Sequence, residues 1–363
     1  MMAKTVLVAG ASGFVGTATM SRFAVDGIRA IGLSRRPPSQ AGPGARYLAI
    51  DLGDPASCAA LAPEFQAVTH LVYAAVNETP GDLIAAWTDP DHAARNGAMF
   101  NTLIGVLAYA APLLRHVTVV HGTKAYAIHR ADCHTPVPLR ESLPRPDNDD
   151  FYFRQEDRLW QAAREHGWGW TVLRAPIICG GGRGSNLNNL LAIAVFAVLR
   201  RDAGLDLPFP GTWPSAGVTE MVDVELLARA IAWAGEAGSA RNQIFNVANG
   251  DAFAWADLWP AIAAEIGLPL GPPQSMSVRA YVDGEVGRWA ALVRQHRLSV
   301  DERLEFLGES ASLLDFAVNN TNRPVLTSTI KIRQAGFSDC IDTTQSIITW
   351  LRRWRHERLI PAF

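Results

Sequence analysis

Val6-Leu7-Val8-Ala9-Gly10-Ala11-Ser12-Gly13-Phe14-Val15-Gly16 is the stretch on which the reading of this chain turns. A short run of apolar residues has the length and β-branching of a buried strand, three glycines follow it, and a helical pattern begins inside them. Glycine permits the tight turn and lets backbone N–H groups approach a ligand at the positive end of the helix. Working outward, similar runs recur at Thr5 to Ala9, Arg29 to Leu33, Tyr47 to Ile50, Thr69 to Ala74 and His116 to His121. Helical stretches such as Asn96 to Leu114 separate them. A sixth strand is expected at Trp170 to Arg174, ended by Pro176, and a seventh at Ile244 to Val247.

Strands alternating with helices predict an α/β fold, a Rossmann-type doubly wound parallel sheet of about seven strands. After Pro176 the character changes. Cys179 to Asn189 is a Gly/Asn-rich loop, and the chain from about Asp251 is helical in pattern and rich in Trp. A smaller, mostly helical C-terminal substrate domain is expected, interleaved with the sheet. Residues 1–178 form the nucleotide-binding part with a returning segment near 221–250, and 179–220 with 251–363 form the substrate-binding part. Phe253, Trp255, Leu258, Trp259 and Ile262 recur at helical spacing and read as a core face.

The bulk numbers are those of an ordinary globular protein, with a hydrophobic fraction of 48% and a charged fraction of 19%. A net charge of -2 gives no electrostatic reason to expect nucleic acid or an anionic membrane as partner. No apolar run approaches the roughly 20 residues a bilayer crossing needs, and the N-terminus lacks a signal-peptide pattern. Four cysteines, Cys58, Cys133, Cys179 and Cys340, lie far apart without metal-ligand spacing. They read as thiols in a reducing compartment, so a cytoplasmic location and no bound metal are expected.

Gly10, Gly13 and Gly16 have the GxxGxxG spacing of short-chain and extended dehydrogenases, and with Ser12, Phe14 and Val15 they are expected to hold a dinucleotide pyrophosphate. The end of the second strand, Ser34-Arg35-Arg36, lacks the carboxylate that usually takes an NAD ribose. Guanidinium groups there suit a 2′-phosphate, so the expected cofactor is NADP(H). Asp51 and Leu52 are expected at the adenine edge, and Tyr73, Ala74 and Ala75 beside the pyrophosphate and inner ribose. Gly122, Lys124, Tyr152, Pro176 and Ile178 complete the expected cofactor contacts.

An ordinary short-chain dehydrogenase carries Tyr and Lys four residues apart, and no YxxxK occurs in the expected region. Tyr152 opens a helical stretch, and Lys124 follows the fifth strand 28 residues earlier, so only the fold can bring them together. The chain shows GASGFVG, SRRP, HGTKAY, FYFRQED and, near 245–259, FNVANGDAFAWADLW, in that order. This set resembles the progesterone 5β-reductase / iridoid synthase-like (PRISE) enzymes, an atypical branch of the extended short-chain dehydrogenases. Their pattern includes an Arg-Arg pair, T-G-x-K-x-Y and F-Y-Y-x-x-E-D. The resemblance covers nearly the whole chain, more loosely over Asn77 to Ala94 and after about 270. It implies Lys124 and Tyr152 as catalytic residues. This chain departs from the pattern at Phe153, where the family has a second Tyr, and at Ala127-Ile128-His129-Arg130, where Gly-Pro-Phe-Glu is usual.

The resemblance implies NADPH-dependent reduction of the C=C bond of a hydrophobic α,β-unsaturated carbonyl. Hydride at the β-carbon pushes charge onto the carbonyl oxygen, a phenol from Tyr152 stabilises it, and Lys124 assists by favouring a polarised or ionised phenol. The substrate pocket is expected along the 77–94 and 179–190 loops, with Tyr126 and Asn186 as substrate residues. The same pair also suits 1,2-reduction of a carbonyl or, less readily, sugar-nucleotide epimerisation, whose enzymes usually keep YxxxK and NAD. A non-catalytic NADP(H) sensor is the alternative of another class, and retention of both Lys and Tyr argues against it. A homodimer is expected at the family level only.

Overall fold

A computed structural model of the chain describes residues 4–38, 44–78, 81, 83–130, 132–182, 187–211, 217–319 and 324–362. The chain divides into two compact units. The first comprises Met1–Ala175, Glu225–Val247 and Ser328–Ser338; the second comprises Pro176–Val224, Ala248–Thr327 and Asp339–Phe363.

Seven parallel strands form the centre of the first unit: β1 (Thr5–Ala9), β2 (Arg29–Ser34), β3 (Ala45–Ala49), β4 (His70–Tyr73), β5 (His116–Gly122), β6 (Gly169–Ala175) and β7 (Gln243–Asn246). Their order is β7-β6-β5-β4-β1-β2-β3, so the winding reverses between β1 and β4. This is the doubly wound Rossmann arrangement expected from the sequence, and every expected strand is present. β1 and β4 are buried along their whole length, as a parallel sheet covered on both faces requires. The edge strand β3 begins two residues before the expected Tyr47, because its pairing with β2 already starts at Ala45 opposite Ala30.

Three helices matter for the site: α1 (Phe14–Val25), α2 (Pro90–Ala110) and α3 (Phe151–His166). α2 starts where Asp89 accepts from the Asp91 N–H, with Pro90 in its first turn. α3 starts where Asp150 accepts from the Tyr152 N–H and ends at Gly167 in the left-handed conformation, φ 73°. Apolar residues of α2 and α3, among them Phe100, Leu103, Leu107 and Leu159, pack with strand residues Leu71, Val117 and Val119 into one core.

The segment Ser328–Ser338 belongs with this first unit, whereas the sequence reading left it in the C-terminal part. The reason is β7, the last strand of the sheet: Lys331 Nζ donates to the Ile244 carbonyl at 2.9 Å, and Asn246 Nδ2 donates to the Ser328 carbonyl at 3.3 Å.

The second unit is largely helical, with Asn189–Asp202, Trp255–Ile266, Val286–His296 and Thr343–His356 among its helices. Trp255, Trp259, Trp289 and Trp354 are fully buried in it. Asp223, at the end of the short strand Met221–Asp223, accepts from Ser346 Oγ at 2.5 Å and from Trp350 Nε1 at 2.9 Å. A buried carboxylate thereby ties down the last helix. No helix among the described residues is long and apolar enough to cross a membrane.

Candidate active site

The carboxyl ends of β1, β2, β4 and β5 meet where the winding reverses, the place at which open α/β sheets form crevices. Gly10 lies there with φ 81°, and a Cβ on it would come within 2.7 Å of the Ala74 carbonyl oxygen and 2.8 Å of the Ala75 nitrogen. Only glycine lets the first turn pass that close to the end of β4. Gly13 precedes α1 and no side chain caps the helix there, which suits an anion at its positive end. The hydroxyls of Ser12 and Ser34 hydrogen-bond each other and fix the turn against the end of β2. Arg35 and Arg36 beyond Ser34 are both exposed and have no ion-pair partner among the described residues. Asp51 is exposed and accepts from the Gly53 N–H at 2.9 Å, while Leu52 is buried.

Tyr73 sits differently from its neighbours Ala74 and Ala75. Its side chain points into the core, edge-on to Phe100 at 4.8 Å, and burial pushes its phenol pKa up. Position 73 can therefore face a ligand only with its backbone. The loop after β4 is held by α2. Asn96 Oδ1 accepts from the Asn77 N–H at 2.7 Å, its Nδ2 donates to the Asn77 carbonyl at 3.1 Å, and His92 meets Glu78 at 3.1 Å.

Lys124 and Tyr152 do meet. Lys124 lies in the tight turn Thr123–Tyr126 directly after β5 and is 9% exposed. Its ammonium stands 5.3 Å from the centre of the Tyr152 ring, 4.6 Å from that of Phe151 and 5.7 Å from that of Trp87. An Asp150 carboxylate oxygen lies 3.6 Å from it. Asp150 thus does two things: one oxygen caps α3 and the other faces the lysine. Burial lowers the Lys124 pKa, with Asp150 and Glu78 opposing the shift.

The Tyr152 hydroxyl approaches Gly122, whose backbone hydrogen-bonds it. A Cβ on Gly122 would stand 3.1 Å from that hydroxyl oxygen, so glycine here leaves room for the phenol. Burial, and next the charge of Asp150, raise the Tyr152 pKa well above the usual phenol range. With its pKa raised in this direction, the phenol keeps its proton at neutral pH.

Behind the pair runs a buried polar chain. His121 stacks on Tyr152 with ring centres 4.2 Å apart, and Glu156 lies 3.6 Å from His121 Nδ1. Glu156 accepts from Arg174 at 2.8 Å and from Arg145 at 2.9 Å. Burial alone would raise its pKa, but His121 and Arg174 outweigh burial and hold the carboxyl at about 2. Tyr126 belongs to the same chain. Arg174 lies over its ring at 4.9 Å, and its hydroxyl donates to Asn246 Oδ1 at 2.6 Å. Its polar end is spent within the first unit. Phe153 is buried with the Arg145 guanidinium over its ring at 5.1 Å. Pro176 and Ile178 lie in the second unit, Ile178 in a short strand paired with Met221–Asp223. Asn186 lies outside the described residues.

Glu156 lies in the FYFRQED stretch, and its contacts reach beyond its own helix to β5 and β6. The links to His121 and Arg174 have no local signature, because strand register supplies them: His121 and Arg174 are opposite each other on β5 and β6.

Residues 57–361 match the PRISE-like Rossmann-fold domain family. The chain belongs to this family. It is 27% identical over 326 residues to (S)-8-oxocitronellyl enol synthase ISY1 of Nepeta cataria, covering 87% of this chain and 80% of the relative. It is 28% identical over 388 residues to the short chain dehydrogenase gsfE of Penicillium aethiopicum, covering 99% of this chain and 100% of the relative. Among solved structures, UDP-glucose 4-epimerase of Thermus thermophilus in complex with NAD superposes with a TM-score of 0.66 at 17% identity. That match covers 97% of this chain and 99% of the epimerase, and it speaks for the fold. This PRISE protein is an enzyme, a nicotinamide-dependent oxidoreductase of the short-chain dehydrogenase/reductase superfamily.

Proposed function

We propose that the enzyme uses NADPH to reduce the C=C bond of a hydrophobic α,β-unsaturated carbonyl compound. The observation that carries this reading is the meeting of Lys124 and Tyr152 across 28 residues, with the phenol on Gly122 and the ammonium 5.3 Å from its ring. Several plant relatives bear names that make them enol synthases, and an enol is what an enone becomes on gaining a hydride at its β-carbon and a proton at its oxygen.

Bound NADPH would supply the hydride. The rest is the work of this chain. Tyr152, kept protonated, donates a hydrogen bond to the carbonyl oxygen as charge develops there; one such donor contributes about 2.7–4 kcal/mol to the transition state. Lys124 holds positive charge beside the same oxygen and suits the ribose hydroxyls of the cofactor. The α-carbon takes its proton from water, so no further acid is required. Gly10, Gly13 and Gly16, with Ser12, Phe14 and Val15, would cradle the pyrophosphate at the start of α1. Arg35 and Arg36, exposed and without an ion-pair partner among the described residues, would take the 2′-phosphate, which supports NADPH over NADH. Asp51 and Leu52 would lie along the adenine, and Tyr73, Ala74 and Ala75 would line the inner ribose by their backbone. Tyr126 would shape the substrate side by packing alone.

The test is NADPH oxidation at 340 nm with 2-cyclohexen-1-one and larger enones, with products identified. Wild type is expected to give saturated ketone, with kcat down about 100- to 1000-fold in Tyr152→Phe, the loss that follows from removing one oxyanion donor. An allylic alcohol as sole product, or full activity in Tyr152→Phe, would contradict the reading.

A further inference from the structure

We infer that His121 is a positioning residue, the plate against which the Tyr152 phenol is set. Its catalytic meaning rests on the proposed function; its geometry does not. His121 is buried at the end of β5, one residue before Gly122. Its imidazole and the Tyr152 ring are stacked, 4.2 Å between centres and 22° between planes. Phe151 meets the same phenol ring edge-on at 4.4 Å and 62°. Two rings at different angles leave the phenol one plane, with its hydroxyl at Gly122.

The imidazole itself is gripped from α3. Gln155 Nε2 donates to the Asn96 carbonyl at 3.5 Å, which turns Gln155 Oε1 toward His121 Nε2 at 3.0 Å. Glu156 Oε1 faces the other ring nitrogen at 3.6 Å and is itself fixed by Arg174 and Arg145. Tyr152, Gln155 and Glu156 stand at i, i+3 and i+4 of one helix, so the residue being placed and those gripping its support share a face. The family pattern T-G-x-K has Thr where this chain has His121, and Thr has no ring to stack.

The experiment is 19F NMR of protein labelled with 3-fluorotyrosine, alongside steady-state kinetics and NADPH binding. The chain has six tyrosines, and the Tyr152 resonance is the one missing from Tyr152→Phe. In His121→Ala and His121→Asn that resonance is expected to shift as the stacked ring is lost. Enone-reduction kcat is expected to fall about 10- to 100-fold, with substrate KM and NADPH Kd near wild type, because a misplaced group is felt in the transition state. His121→Phe, which keeps a flat ring, is expected to recover part of kcat and to stand in should the smaller variants fail to fold. A Tyr152 resonance unmoved in a folded Ala or Asn variant overturns the inference, as does an unchanged kcat or a Phe variant no better than Ala. Absence of enone turnover in wild type would sink the proposed function instead, and the 19F spectrum would still decide whether His121 sets the phenol.

Discussion

Lys124 combines burial with a retained counter-charge. Its ammonium lies near the rings of Trp87, Phe151 and Tyr152 and meets Asp150. Burial lowers its pKa, so the charge is lost at a pH below the ordinary lysine value of about 10.4. The Tyr152 shift runs the other way, and the phenol keeps its proton throughout that range. A basic limb in the kcat profile is therefore expected to belong to Lys124. In Lys124→Arg, whose guanidinium stays charged, this limb should vanish even where kcat is reduced; its persistence at the same pH would mean that another group titrates. Neither half of this pair was visible as a pair from local spacing. Tyr152 and Lys124 became candidates through resemblance to PRISE motifs; the opposite directions of their pKa shifts come from burial, which disfavours the charged form of each, while Asp150, whose second oxygen no sequence pattern assigns to a lysine, adds to the Tyr152 shift and opposes that of Lys124.

At the scale of elements, the strand–turn–helix from β1 into α1 was the most legible part of the chain. Its reason is physical: Gly10 has to pass against Ala74 and Ala75, and a side chain there collides with backbone that cannot yield. At the end of β2, Ser34 is fixed against Ser12, while Arg35 and Arg36 are exposed and have no ion-pair partner among the described residues. If those guanidiniums take a 2′-phosphate, Arg35→Ala/Arg36→Ala should raise the NADPH Kd by roughly tenfold or more per charge-assisted contact. NADH binding should change little, and fluorescence titration with both cofactors checks this. Equal loss for both would move the arginines out of the cofactor site. The β5–α3 junction was less legible. The sequence shows Tyr152 opening a helical stretch, but the grip of Gln155 and Glu156 on His121 follows from how the helix is laid over the strand.

On the whole-molecule scale, the doubly wound parallel sheet and its returning strand β7 follow from alternating pattern. The membership of Ser328–Ser338 does not, since it depends on hydrogen bonds to β7 made by residues about 80 positions away. The first unit also carries a built-in acid sensitivity. His70 and His116, neighbours on β4 and β5 with rings 6.2 Å apart, are both buried. Burial, chiefly, lowers their pKa values to about 4 and about 3. The unfolded chain takes up these protons near pH 6.5, so below that pH it binds more protons than the folded one and stability falls until the folded pKa values are reached. Glu156, held at about 2, adds a loss in the same direction at lower pH. The thermal midpoint is thus expected to drop steadily from about pH 6.5 to about pH 4, and less steeply in His70→Gln/His116→Gln. A midpoint flat across that range would contradict the burial of neutral imidazoles.

Hydride is expected to go to carbon rather than to a carbonyl, under the hydrogen bond of Tyr152. Turnover of 2-cyclohexen-1-one with NADPH deuterated at the transferable C4 position, followed by NMR of the product, tests it most directly. Deuterium at the β-carbon of the saturated ketone, with formation of that product nearly abolished in Tyr152→Phe, is the predicted result. Deuterium on the carbinol carbon of an allylic alcohol would contradict it and make this PRISE enzyme a carbonyl reductase.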